Sequence, residues 1–109
     1  MKIIQSKQAH EMETVNRLML SDASEVVQQL AEAGYGADID RIQKDEFVQI
    51  ALDAWDNDLN RIFLTVDVGG WWEFIKPDAG YGNTHIARFA TRHLAIKFAI
   101  HLFEEPLTH

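Results

Sequence analysis

The spacing of apolar positions divides this chain into an N-terminal half of helical period and a C-terminal half in which the period changes twice. Ala9, Met12, Val15, Leu18 and Met19 recur at intervals of three and four, which predicts helix over about 6–20. A second helix is expected from about Ser21 to Ala33. Asp22-Ala23-Ser24-Glu25 has the form of a capping box, Val26, Val27, Leu30 and Ala31 share a face, and Gly34 supplies a left-handed stop. Ser21 is where the two helices would break or kink. Met1 to Gln5 is short and β-branched, and reads as an edge strand in preference to an unstructured start.

After the turn at Gly34-Tyr35-Gly36, Phe47, Val48, Ile50, Ala51, Ala54 and Trp55 fall at i, i+1, i+3, i+4, i+7 and i+8. That pattern predicts a third, amphipathic helix with one buried stripe. Its watery side would carry Asp45, Gln49, Asp53 and Asp56, and Asp56-Asn57-Asp58 would end it. The period then becomes two: Ile62, Leu64, Val66 and Val68 alternate with Phe63, Thr65 and Asp67, and Gly69-Gly70 leads into Trp71-Trp72-Glu73-Phe74-Ile75-Lys76. Residues 61–76 are therefore expected to form a β-hairpin. A two-residue Gly-Gly turn would put Glu73 on the face of Leu64 and Val66. A three-residue loop, Val68-Gly69-Gly70, with a glycine bulge avoids this. It groups Ile62, Leu64, Val66, Trp72 and Phe74 on one face and Phe63, Thr65, Asp67, Trp71, Glu73 and Ile75 on the other.

Pro77 to Asn83 reads as a loop, with Asn83 or Thr84 capping a last helix from about Thr84 to Glu105 whose apolar residues cover more than half of its circumference. The expected fold is α+β in a single domain, residues 1–109. Its short antiparallel sheet is built on the hairpin (about 61–76) and packed against a long apolar C-terminal helix and two or three N-terminal helices.

Composition adds limits. With 109 residues, 47% of them hydrophobic, the chain can close a core without metal or disulfide. It has no cysteine, which excludes thiol chemistry, zinc ribbons and iron–sulfur clusters. No apolar leader is visible, and the C-terminal apolar stretch is interrupted by Arg92, His93, Lys97 and His101, so no membrane span is expected and a cytoplasmic location is the default. Residues 1–60 hold twelve acidic and five basic side chains, and residues 61–109 five of each. The whole excess, a net charge of −7, is therefore N-terminal. Such a surface repels a nucleic-acid backbone and attracts basic partners.

Four constellations are candidates for chemistry. Asp38, Asp40, Asp45, Asp53 and Asp56 would form an acidic partner-binding face, which is also what an ordinary solvated helix face looks like. Phe63, Trp71 and Ile75, on the second hairpin face, would form an aromatic patch of the kind found at interfaces, unless a further layer or a homodimer covers it. Gly80, Gly82, His85, Arg88 and Arg92, in a glycine loop feeding a helix start, have the parts of an anion site. The bland alternative is a turn whose bases pair with acids on earlier helices. Asp67 and Glu73, with His85, are the acid–base candidates, whereas Ser6, Ser21 and Ser24 lack a nucleophile's setting. His93 and His101 stand two turns apart, too far to share an ion, so neither a metal nor a cofactor is expected.

In size and charge alone the chain is similar to the small acidic accessory proteins of phages and mobile elements that bind and block a host machine. These observations make a non-enzymatic interaction protein the expected function. Its partner would be another protein, including a nucleic-acid-handling one whose phosphates the acidic face imitates. An anion-binding module and an enzyme of unassigned reaction are the alternatives.

Overall fold

The computed structural model describes residues 2–78 and 82–105, with residues 2–9 described as helix backbone only. The architecture is α+β: a helix α1 (Lys2–Glu32), five strands β1 (Ala37–Gln43), β2 (Phe47–Trp55), β3 (Arg61–Asp67), β4 (Trp72–Asp78) and β5 (Gly82–Phe89), and a helix α2 (Arg92–Glu104). The strands form one antiparallel meander in the order β1-β2-β3-β4-β5.

The N-terminal segment is one helix where two or three elements were expected. No strand forms at its start, and Ser21 and Asp22 lie in mid-helix without a break. Asp22, freed from capping, instead accepts from Arg92 at 3.2 Å and ties α1 to the first turn of α2. Met19, Ala23, Val26 and Leu30, at intervals of four, three and four, are buried. Gly34 does end the helix as the sequence predicts, at φ +92°. The Tyr35 N–H reaches the Leu30 carbonyl (2.8 Å) and the Gly34 N–H the Ala31 carbonyl (3.0 Å), the paired bonds of a Schellman stop.

The amphipathic helix expected around 45–56 is absent. Residues 37–55 are the β1–β2 hairpin, paired from Gln43↔Phe47 to Ala37↔Leu52. Val48, Ile50, Leu52 and Ala54 alternate on the core face and are buried. Leu52 separates the two readings: a helical stripe leaves it at its margin, whereas strand alternation buries it completely.

The 61–76 hairpin forms with the predicted register, Leu64 opposite Phe74 and Val66 opposite Trp72. Its three-residue loop closes with the Asp67 N–H on the Trp71 carbonyl at 3.1 Å. The long C-terminal helix is replaced by β5 and a 13-residue α2. Its cap is Thr91, not Asn83 or Thr84: Thr91 Oγ1 accepts from the Leu94 N–H at 3.3 Å. Phe89 and Phe98, once expected on one helix, now face each other from β5 and α2, 5.2 Å apart and both against Phe74.

Both helices pack on the same side of the sheet. The core formed by Met19, Val26 and Leu30 of α1, Ala95, Ala99 and Leu102 of α2, and the inward residues of β1–β4 is one cluster. The opposite face of the sheet carries neither helix. Among the described residues, no helix is long and apolar enough to cross a membrane.

Candidate functional site: the open face of the sheet

Strand alternation decides what the uncovered face displays. Asp38 and Arg41 of β1, Phe47, Gln49, Ala51, Asp53 and Trp55 of β2, Phe63 and Thr65 of β3, Glu73 and Ile75 of β4, and His85 and Arg88 of β5 are brought to it by the register. The face is organised by arginines stacked on aromatic rings. Arg41 lies 5.5 Å from the Phe47 centroid, Arg61 5.3 Å from Trp55, and Arg88 4.1 Å from Trp71. A stacked guanidinium is held flat while its edge N–H groups stay available for carboxylates or carbonyls. Arg61 uses one of these on the Leu52 carbonyl, at 2.8 Å.

At the Arg41/Phe47 pair lies a shallow polar concavity of about 390 Å³, lined also by Gln49, Thr65, Glu73, Ile75 and His85 among others. His85 Nδ1 stands 3.0 Å from Glu73 Oε2. Thr65 Oγ1 donates to the Glu73 main-chain carbonyl (3.4 Å), and Gln49 Nε2 donates to Asp40 (2.9 Å).

Of the predicted aromatic patch, two members adjoin on this face and the third stands apart at its turn end. Phe63 and Ile75 are cross-strand partners, and Trp71 stands 40% exposed at the edge of the face, while Ile75 is buried between its neighbours. Of the predicted acidic face, Asp38, Asp40, Asp45 and Asp53 are exposed. They sit on the β1–β2 hairpin, not on a helix. Asp45 is the turn residue at φ +67°, and its carboxylate and N–H are clasped by Asn16 of α1.

Asp56 does not belong to the acidic surface. It is buried, with Lys76 Nζ at 2.8 Å from Oδ2. The Lys76 ammonium, together with donors from Asn60 and Asp58, holds its carboxyl well below the usual carboxylate range despite burial.

The helix start on which the expected glycine-loop anion site was placed is absent. Helix α2 starts at Arg92, so Gly82, His85 and Arg88 lie on a strand, and Gly80 falls outside the described residues. Arg88 is stacked on Trp71, and Arg92 is paired with Asp22. His85, Arg88 and Arg92 therefore do not share a helix face. Of the acid–base candidates, Glu73 and His85 meet, but Asp67 is occupied elsewhere: its Oδ1 accepts from the N–H groups of Gly69 (2.9 Å) and Trp71 (3.0 Å). On α2, His101 pairs with Glu105 at 3.6 Å, and no group of metal-ligating side chains occurs among the described residues.

Sequence reasoning missed the arginine stacks at Phe47 and Trp55, because both rings were assigned to the buried stripe of a helix. The usable signal was alternation itself. Val48, Ile50, Leu52 and Ala54 at period two leave Phe47, Gln49, Asp53 and Trp55 outward. Comparison with known proteins assigns no family: no family model, no curated protein and no solved structure matches this chain.

Proposed function

We propose that this is a non-enzymatic interaction protein that binds another protein across the open face of its sheet and modulates it by occupying that surface. The observation that carries the reading is the set of arginine–aromatic stacks, Arg41/Phe47, Arg61/Trp55 and Arg88/Trp71, on a sheet face that neither helix covers. Tryptophan and arginine are the residues most enriched at interface hot spots, and pre-stacking removes much of the rotamer entropy that binding would otherwise cost. The exposed carboxylates of Asp38, Asp40, Asp45 and Asp53 give the surface around it attraction for a basic partner, including a protein that itself binds nucleic acid.

The test is affinity capture from a host lysate with three baits: the wild type, Trp71→Ala combined with Arg88→Ala on the open face, and Leu18→Ala on the exposed side of α1. A partner retained by the wild type and by Leu18→Ala but lost by the open-face variant is the expected result. A partner retained equally by all three places the interface elsewhere and removes the proposal.

A further inference from the structure

Two hairpin turns of this sheet are the same turn built twice. In the β3–β4 turn the Asp67 N–H donates to the Trp71 carbonyl (3.1 Å) and the Gly70 N–H to the Asp67 carbonyl (3.0 Å). Asp67 Oδ1 takes the N–H groups two and four residues on. In the β2–β3 turn the Asp56 N–H donates to the Asn60 carbonyl (3.0 Å) and the Leu59 N–H to the Asp56 carbonyl (3.1 Å). Asp56 Oδ1 likewise takes the N–H groups of Asp58 and Asn60, each at 2.9 Å. Both turns close on a left-handed residue, Gly70 at φ +81° and Leu59 at φ +64°.

Glycine suits that position because a Cβ crowds the neighbouring carbonyl, and asparagine is the next best choice. The first turn uses glycine; the second uses leucine. Leu59 is 81% exposed, more than any other large hydrophobic among the described residues, so its side chain adds little to the core while its backbone is strained. Strained residues kept against this cost concentrate where a protein meets something else. The turn is also braced from within, since the buried Asp56 carboxylate ties it to Lys76 of β4. Trp55, 41% exposed, stands at the same end of the sheet, and the exposed side chains of Asp53 and Asp58 lie on either side in sequence.

We infer that Leu59 is an interface anchor: an apolar knob, held rigid by the Asp56 turn and with Trp55 at the same end of the sheet, that enters an apolar pocket bordered by basic side chains on a partner protein. The basic border follows from Asp53, Asp58 and the net charge of −7; the same charges oppose a second copy of this chain as the occupant. The inference rests on the partner-binding reading and adds a contact at the end of that face.

Leu59→Asn and Leu59→Gly separate fold from function. Both variants should raise the thermal midpoint by roughly 2–6 °C. Gly70→Leu, whose added Cβ meets nothing within 4 Å, should lower it, because it puts the same strain into the twin turn. The protein retained from a host lysate by the wild type is purified, and its affinity measured for the wild type and Leu59→Asn at low and high salt. The expected result is a loss of about tenfold or more in Leu59→Asn that persists as salt rises, while overall affinity falls. A lower midpoint in both Leu59 variants would show that leucine serves the fold, and would overturn the inference. So would equal affinity of the two proteins, a difference that vanishes at high salt, or a wild type that retains no protein. Self-association of the wild type that Leu59→Asn abolishes would make a second copy the occupant and overturn the stated partner. A partner lost by the Trp71/Arg88 variant but held fully by Leu59→Asn would leave the open-face reading standing and remove this one.

Discussion

Asp56 is the residue on which the β2–β3 end of the molecule depends. One carboxylate accepts from two main-chain N–H groups, from Asn60 Nδ2 at 3.2 Å and from the Lys76 ammonium at 2.8 Å, so it closes a turn and fastens β4 to it. A buried charge is tolerable because its hydrogen bonds replace those to water, and removing one partner leaves the other uncompensated. The carboxyl is held below its ordinary range by Lys76 first. A depressed carboxyl contributes stability that is present above its unfolded value, about 3.9, and is lost as pH falls toward the folded value. Asp56→Asn should therefore lower the thermal midpoint more than Asp53→Asn or Asp58→Asn at neutral pH. The gap from wild type should be constant above about pH 5 and shrink below about pH 4. Thermal melts of the four proteins across this range check it, and a gap that widened in acid would contradict the assignment. The sequence offered Asp56 only as one member of an acidic cluster. Its burial depends on Lys76, twenty residues away and two strands over, and no local pattern encodes that pairing.

At the scale of elements, the 61–76 hairpin was legible because its two strands are amphipathic at period two and one constraint, keeping Glu73 off the core face, fixes the turn length. The β1–β2 hairpin was less legible because Phe47, Val48, Ile50, Ala51, Ala54 and Trp55 satisfy a helical wheel as well as six residues can. Neighbours on both sides of β2 decide the matter, since β1 and β3 supply the main-chain partners that an isolated segment would find only by coiling. The β5–α2 boundary was hidden in the same way. Ile86, Ala87 and Phe89 fit the same helical wheel as the apolar residues of α2, and only Thr91, as N-cap, marks the change. Two substitutions test these assignments by chemical denaturation. Leu52→Ala should cost about 2–5 kcal/mol as a buried strand residue, against well under 1 kcal/mol for a residue at the margin of a surface helix. Thr91→Ala should cost about 1 kcal/mol through the lost cap.

For the whole molecule, the deciding fact is that both helices lie on one side of a five-stranded meander. The 31-residue α1, about 46 Å long by helix rise, accounts for the longest dimension of 53 Å. Both edge strands carry an extra residue that breaks their ladder, Asp40 in β1 and Ile86 in β5. Bulged edges resist further strands, which favours the open face over a sheet edge as the proposed partner surface. If its acidic border guides a basic partner, the association rate should fall by about tenfold or more from low to high salt, with the dissociation rate changing much less. Stopped-flow or surface-capture kinetics would show this, and a salt-insensitive association rate would remove the electrostatic part of the proposal. The sequence by itself determined the α+β class, the stop of α1 at Gly34, and the register and two faces of the central hairpin, because each follows from side-chain period and turn sterics within a few residues. It also determined that the charge excess is N-terminal. Only the tertiary structure decided that residues 37–55 pair as strands, that Asp56 is withdrawn from the acidic surface, that His85 and Arg88 stand on a sheet instead of a helix start, and which face stays open. Each of these depends on partners distant in the chain, and ladder hydrogen bonds and shared burial outweigh local preference wherever a segment fits two periods equally well.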